Sequence, residues 1–447
     1  MSMRGLFTIE KWKEGGKPSL SISQIINMNF GFFGIQYSFG LQQTAINPIY
    51  TFLDANPEQL PILNLAGPMT GLLIQPIIGA MSDKTWSNRW GGRRKPYFLV
   101  GAITCSIALL FMPFSSTLWM AAGLLWILDA GNNTAMEPYR AFVADRLPKE
   151  QFATGFLIQS FFTGLGITVA NLSLFFFQKY ISGTSDNAIP YWVFGAFLVG
   201  AFCSVASVLW SLYTTPEIEP QSHELAYINK HKGGMLQPLI EIKDAIISMP
   251  KPLWQLALVY LFQWYAMFCY WQYVSHSIAK SVWNTSSSEN IDLYSEAAGW
   301  TGLVNGFYNI ITFISAFFLI SMTKKRSAKS IHSICLMLAA LALLTMPLIH
   351  DKYLLFIPMI GFGIAWASMM GIPYIIVANE IPSEKNGVYM GIVNMMIVVP
   401  MIIQTLSFGF VYKNILHSDP ASALQFAGVL LLFASLATMN IKVTKAG

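Results

Sequence analysis

The chain has little charge for its length. Only 11% of its 447 residues are Asp, Glu, Lys or Arg, and 54% are hydrophobic, whereas a soluble domain carries roughly 25% charged residues. Its four cysteines and six histidines are scattered, without the spacing of a metal site or a disulfide framework. We therefore expect no metal, no cofactor and no enzyme.

Long apolar runs are what the sequence does contain. Twelve stretches of about 20 residues are each long enough to cross a hydrocarbon core of ~30 Å. The predicted spans are 22–45, 60–81, 97–114, 117–145, 152–178, 190–213, 252–279, 297–322, 329–349, 353–379, 386–412 and 422–441. The predicted fold class is an all-α polytopic protein in a lipid bilayer.

Basic residues predict the orientation of these spans. With the N-terminus inside, 22 of the 27 Lys and Arg residues lie in inner loops and tails, as the positive-inside rule requires. The net charge of +5 thus reflects topology and indicates no nucleic-acid partner. The first 21 residues lack the apolar core of a cleaved signal peptide. We expect a multi-pass protein of the cytoplasmic membrane with both termini in the cytoplasm.

A polar segment at 214–251 divides the spans into six and six. We predict an N-terminal bundle at 1–213, a cytoplasmic linker at 214–251 whose KDAIISMPK end forms a short amphipathic helix, and a C-terminal bundle at 252–447. The end of span 4, PYRAFVADR, is echoed 235 residues later by PYIIVANE in span 10. Such weak similarity between halves is typical of transporters built from repeats, with the substrate site near the midplane.

Span 4 carries charge where charge is most costly. Asp129, Glu137 and Arg140 lie within one apolar helix, and a central charge costs at least ~2.5–3.5 kcal/mol on insertion scales. Such residues usually move an ion or a polar solute, so the span predicts a transporter. A membrane sugar sensor is a distant alternative, since no soluble output domain is evident.

The turn after span 2 predicts an inner gate. Asp83 ends the span, and Arg93 and Arg94 follow the turn; an acidic residue there can hold a basic one as a latch. Asp145 and Glu380, which end the two repeats, are further gating candidates. We interpret Lys95 as positive-inside anchoring, and anchoring alone is also an alternative for Asp83.

Several motifs resemble a known family. The turn G-x-x-x-D-K…G-R-R resembles the signature of the major facilitator superfamily. The segment from Gly67 to Asp83, LDAGNNTAMEPYRAFVAD in span 4 and GVYMGIVNMMIVVP in span 11 are similar to the proton-coupled sucrose transporters of plants and their relatives. The resemblance implies twelve helices in two bundles and symport of a disaccharide, and the short loops favour a bacterial member.

The resemblance also implies roles in span 4. Asp129 stands where the family keeps the carboxylate that takes up the coupling proton, and Arg140 stands where it keeps an arginine needed for sugar uptake. Independently, burial of a carboxylate favours its neutral form. Alternatives remain: an inert Asp129, a structural pair of Glu137 with Arg140, and Asn133 as a helix-capping residue.

A polar lining with few charges suits a neutral, polyhydroxylated substrate. Aromatic residues from Trp271 to Tyr273 fit a membrane-interface belt and a sugar site equally well, whereas Trp264 is nearer mid-span. The candidate substrate-binding residues are Gln36, Tyr37, Gln42, Asn133, Glu137, Arg140, Trp264, Tyr308 and Asn309.

The substrate and the coupling ion remain open at this point. Residues 41–81 lack the histidine that plant members carry after span 1, and Glu137 replaces a small residue of the plant pattern. These departures weaken the assignment of sucrose as the substrate more than the assignment of sugar transport. A sodium-coupled glycoside symporter is the nearest rival, followed by a facilitator. Sodium needs several oxygen ligands, and span 2 has no carboxylate between residues 60 and 81. We expect proton coupling and a monomer.

The predicted topology can be tested by thiol labelling. Cysteine at residue 56 or 288 should react with a membrane-impermeant reagent in intact cells, because both lie in predicted outer loops. Cysteine at residue 230 should react only after lysis. The reverse pattern would overturn the topology and the depth assigned to Asp129.

Overall fold

The computed structural model describes residues 8–11, 17–83, 85–148, 151–219, 243, 246–323, 326–380 and 386–442. In these residues the chain is helical apart from short connections and one pair of two-residue strands, β1 (Ile9–Glu10) and β2 (Glu217–Ile218). Most of the predicted linker, residues 220–242 and 244–245, lies outside the described residues.

Twelve long helices run through the described residues, which confirms the predicted all-α architecture. They are α1 (Ile22–Phe52), α2 (Ala66–Asp83), α3 (Lys95–Phe111), α4 (Leu118–Arg146), α5 (Phe152–Tyr180), α6 (Tyr191–Thr214), α7 (Lys251–Trp283), α8 (Ile291–Thr323), α9 (Ala328–Thr345), α10 (Phe356–Glu380), α11 (Asn386–Asn414) and α12 (Pro420–Met439). Eight of them are apolar and long enough to cross a membrane by length and composition. The other four are α1, α4, α7 and α8.

Helix α1 extends seven residues past its predicted end. It contains Pro48 and continues to Phe52, although proline lacks the amide proton that a helix uses. Membrane helices tolerate proline where neighbouring groups satisfy the freed backbone. The hydroxyl of Thr51 donates to the carbonyl of Asn47 within this last stretch.

Capping residues define several helix ends. The side chain of Thr117 accepts a hydrogen bond from the Met120 amide at the start of α4, and Asp419 accepts from the Ala421 and Ser422 amides at the start of α12. Both are favoured N-cap residues because their oxygens satisfy free amide groups. Asn284, in the left-handed conformation with φ 48°, ends α7.

The chain divides into two compact units. Unit 1 comprises Met1–Gln42, Met69–Ala170 and Thr184–Met235, and unit 2 comprises Gln43–Pro68, Asn171–Gly183 and Leu236–Gly447. Unit 2 thus contains the second part of α1 and the last part of α5 as well as α7 to α12. The division into bundles at 1–213 and 252–447 stays a prediction.

Small residues allow close packing in unit 1, where α3 packs against α4 and α6. A Cβ atom added to Gly131 of α4 would lie 2.7 Å from the Cys105 amide nitrogen and 2.9 Å from the Gly101 carbonyl oxygen of α3. The backbones of the two helices therefore meet without intervening side chains, as is common where membrane helices associate.

Helix α7 organises the packing of unit 2. It packs against α8, α11 and α12, while α10 packs against α8 and α9. Tyr270 and Tyr273 of α7 are completely buried. Both lie against aromatic rings of neighbouring helices: Tyr270 contacts Phe362 of α10, and Tyr273 contacts Tyr412 of α11.

The contact between α3 and α4 predicts that the effect of a glycine-to-alanine substitution on thermal stability depends on its position in α4. Gly131→Ala should lower the melting temperature of the detergent-solubilised protein, because overpacking typically costs about 1–3 kcal/mol. Gly123→Ala on the same helix is the matched control, since nothing lies within 4 Å of its added Cβ. Equal melting temperatures for the two variants would contradict this packing.

Candidate functional site

The predicted coupling and substrate-binding residues lie on the four less apolar helices. Helices α1 and α4 carry those in unit 1, and α7 and α8 carry those in unit 2. Polar residues inside a membrane protein are costly and usually functional. Each unit therefore has its own polar interior.

Asp129 lies at the centre of the polar interior of unit 1. It is 1% exposed and is hydrogen-bonded to the side chain of Gln42 on α1. One turn along α4, the amide of Asn132 donates to the Ser38 hydroxyl at 2.9 Å. Among the described residues, Oδ2 of Asp129 and Oε1 of Gln42 have no hydrogen-bond partner. The carboxylate thus has one oxygen available for a proton or a cation.

Asn133 connects α4 with α2. Its amide nitrogen donates to the Thr70 hydroxyl at 3.1 Å and to the Asp129 carbonyl at 2.9 Å, and its amide oxygen accepts from Gln75 at 2.7 Å. Its donors are fully used by these contacts. Binding of a sugar by Asn133 would require the exchange of one of these bonds.

Arg140 and Glu137 form a local pair on α4. Nη1 of Arg140 lies 3.1 Å from Oε1 of Glu137, and the arginine side chain is 45% exposed. A guanidinium has five donors, and this contact uses one of them. Gln36 and Tyr37 on α1 are buried, and Tyr37 packs against Phe33.

Three tryptophans form a cluster in unit 2. The ring centroid of Trp264 lies 6.4 Å from that of Trp271 and 5.9 Å from that of Trp366, and Trp271 lies 5.8 Å from Trp366. We call these three residues the tryptophan cluster. Tyr308 of α8 packs against Tyr270 of α7 and Phe362 of α10, the two helices that carry the cluster, so the structure brings Trp264, Tyr308 and Asn309 into one neighbourhood.

Trp366 of α10 is absent from the sequence-based candidates. The sequence shows Trp366 as an aromatic residue in the middle of a span. It does not show whether such a residue faces the protein interior or the lipid. Trp366 is 8% exposed and Trp271 is partly buried. The contact with Trp366 favours the interior interpretation of Trp271 over an interfacial belt.

A chain of hydrogen bonds crosses four helices within unit 2. The Tyr270 hydroxyl donates to Asn305 at 2.6 Å, the Asn305 amide donates to Thr44 at 3.0 Å, and the Thr44 hydroxyl donates to Asn171 at 2.5 Å. Thr44 lies on α1 and Asn171 on α5. Threonine and asparagine are common in spans, and only the fold shows that these ones meet.

The inner ends of the helices, which are those predicted to face the cytoplasm, carry an ionic cluster in unit 1. Asp145 is paired with Arg93 at 2.6 Å and with Arg94 at 2.7 Å. The structure thus brings together three of the five predicted gating residues. Asp83 ends α2, but its side chain lies outside the described residues, and Glu380 ends α10 in unit 2.

Glu217 is a member of this region that the sequence-based candidates omit. Its carboxylate accepts hydrogen bonds from the amides of Arg93, Arg94 and Lys95 at 2.7–2.9 Å, and it therefore caps the start of α3. Burial raises the pKa of Glu217, and the three amide donors and Lys95 oppose that rise. The feature of the sequence that indicates an acidic group at this place is the PEIEP stretch at residues 216–220, after span 6.

Lys95, which we interpreted as positive-inside anchoring, is buried and has partners within the protein. Lys95 is 1% exposed, and its ammonium donates to the Leu212 carbonyl at 3.0 Å. The N-terminal segment covers this site: β1 pairs in parallel with β2, and Glu10 pairs with Arg146 at 2.8 Å. Residues 217–218 are thus a structural part of unit 1.

The cap predicts different effects for two neighbouring glutamates. Glu217→Gln should lower the melting temperature, because hydrogen bonds to a charged group contribute about 1.5–3 kcal/mol. Glu219→Gln makes the same change of charge two residues away. Glu219 is not the residue that caps the three amides, so this variant should leave the melting temperature nearly unchanged. Similar thermal stability of both variants would show that the cap contributes little.

Comparisons with known proteins agree with this architecture. A family model described as Major Facilitator Superfamily matches residues 28–405. The chain is 22% identical to sucrose transport protein SUT5 of Oryza sativa subsp. indica, over 84% of this chain and 79% of that protein. It is 24% identical to SUT2 of Oryza sativa subsp. japonica, over 93% of each chain.

Solved structures show the same fold. The nucleoside transporter NupG superposes with a TM-score of 0.67 at 14% identity, over 94% of this chain and 99% of that one. The xylose transporter XylE from E. coli superposes with a TM-score of 0.61 at 16% identity, over 95% and 96%. Both solved structures are named as transporters, and at these identities the likeness shows the fold.

Proposed function

The chain belongs to the major facilitator superfamily of membrane transporters, and we propose that it is a proton-coupled symporter that imports a neutral disaccharide or related glycoside by alternating access. The relatives named as sucrose transport proteins align with 84% and 93% of this chain, which supports a sugar as cargo. The distribution of basic residues supports a place in the cytoplasmic membrane with both termini inside.

The environment of Asp129 is the observation that carries the proposal. A carboxylate that is 1% exposed and has one oxygen without a partner among the described residues is suited to take up a proton. Burial penalises its charged form unless a cation is present. Its hydrogen bond to Gln42 ties the protonation state to the position of α1.

Arg140 and Glu137 support recognition of the sugar. A guanidinium offers five donors in a planar fork, and Arg140 uses one of them on Glu137. An exposed donor group beside a carboxylate acceptor suits a ligand with neighbouring hydroxyl groups. Gln36, Tyr37 and Asn133 stay as candidates from the same unit, and Trp264, Tyr308 and Asn309 as candidates from unit 2.

The ionic cluster is the proposed inner gate. Asp145 holds both Arg93 and Arg94 in unit 1. Asp83, at the end of α2, stays a further gating candidate in unit 1, and Glu380, at the end of α10, stays one in unit 2. Both pairs are only partly exposed, because the side chains of Arg93, Arg94 and Asp145 are 23%, 4% and 25% exposed. We propose that these pairs bias the equilibrium between two states and break when the protein changes state.

Sodium is the second candidate for the coupling ion. Asn132 Oδ1 and Gln42 Oε1 also lack partners among the described residues, so with Asp129 they offer three oxygens of the type that hard cations prefer. A proton is favoured because Asp129 is the single carboxylate of this set. Sugar uptake by reconstituted vesicles under an imposed proton gradient or an imposed sodium gradient separates the two.

Asp129→Asn tests the coupling directly. Asparagine keeps the size of the side chain but cannot release a proton, so the variant should bind and exchange sugar without accumulating it under a pH gradient. The apparent affinity of the wild type should weaken as the outside pH rises, and this dependence should flatten in the variant. Uptake and counterflow of labelled sucrose, maltose and trehalose in vesicles measure both effects.

Arg140→Lys should affect uptake differently from Asp129→Asn. It should weaken uptake at every pH, because an ammonium cannot reproduce a planar guanidinium with several donors. Accumulation of sugar by Asp129→Asn against its gradient would exclude Asp129 as the coupling group and would make Glu137 the next candidate.

A further inference from the structure

Two adjacent residues of α7 have polar groups without partners. Gln263 is completely buried and Trp264 is 5% exposed. Neither atom of the Gln263 amide, nor the indole nitrogen of Trp264, has a hydrogen-bond partner among the described residues. Buried polar groups are nearly always paired, so three such atoms on neighbouring residues require an explanation.

Their position places them beside the tryptophan cluster. Seven residues are about two turns of an α-helix. Gln263 therefore lies on the same face of α7 as Tyr270, and Trp264 lies on the same face as Trp271. Trp264 itself contacts Trp271 and Trp366. Tyr270, two turns along the same face of α7 as Gln263, contacts Phe362 of α10.

The chemistry of this region suits a neutral ligand with hydroxyl groups. From residue 252 to residue 279, α7 contains no Asp, Glu, Lys or Arg, so an ionic ligand would find no counter-charge on this helix. An amide offers both a donor and an acceptor, and an indole offers a donor and an apolar face. A pyranose ring has the complementary features, with hydroxyl groups at its edge and C–H groups on its face.

We propose that Gln263 and the Trp264 indole bind two hydroxyl groups of the transported sugar, while the rings of the tryptophan cluster pack against its C–H face. This carbohydrate subsite lies within unit 2 and rests on the proposed function. The subsite explains why the protein keeps the buried Gln263 amide unpaired, at a cost in stability. The amide forms its hydrogen bonds when the ligand binds. The subsite also makes Gln263 and Trp366 determinants of sugar specificity.

Gln263→Leu in the full-length protein separates binding from structure. Leucine removes an unsatisfied amide, so the melting temperature should stay equal or rise, while KM for sugar uptake should increase about tenfold, the equivalent of 1.4 kcal/mol. Gln272→Leu is the matched control on the same helix. Gln272 accepts a hydrogen bond from Gln404 at 2.8 Å, so this variant should have a lower melting temperature.

Trp264→Phe is the second variant, because it removes the indole N–H and retains an aromatic ring. It should also raise KM, with kcat less affected. Uptake is measured with sucrose, maltose and trehalose in vesicles. If the wild type carries one of them and both variants keep its KM, the subsite is wrong and the proposed function stands. If the wild type carries no sugar, the proposed function fails and the subsite fails with it.

Discussion

A polar group inside a membrane protein must find its partner within the protein, because hydrocarbon offers none. This constraint separates two kinds of polar residue in the chain. Thr44, Asn171 and Asn305 satisfy one another in a continuous chain of hydrogen bonds, and such groups hold helices together. Asp129 and Gln263 keep unpaired atoms among the described residues, and we assign such groups to the ligands.

The same constraint explains why so few residues carry the proposed mechanism. Eight helices are apolar enough to cross a membrane by length and composition, whereas α1, α4, α7 and α8 are less apolar and carry the proposed coupling group and most of the candidate sugar-binding residues. Glycine at the α3–α4 contact brings the backbones together, which holds α4 in place behind Asp129. A rigid support of this kind keeps a catalytic or coupling group in a defined geometry.

The inner ends of unit 1 contain charged groups that are mostly buried, and they find partners within the protein. There, Glu217 caps three backbone amides and Asp145 binds two arginines. The pairing of β1 with β2 anchors the N-terminal segment at the same place. The proposed gate thus combines a buried structural cap with ion pairs in which Arg93 and Asp145 are partly exposed and Arg94 is buried.

The sequence by itself determined the helices and the depth of the charges in them. Hydrocarbon imposes a length of about 20 apolar residues on each span, so the twelve spans, the charged α4 and the family motifs are all visible in one dimension. Tertiary structure decided which groups meet. The contact of Trp366 with Trp264, the cap formed by Glu217 and the bond between Thr44 and Asn171 each join segments distant in the chain. Each depends on the rotation and packing of whole helices, which no local pattern of residues encodes.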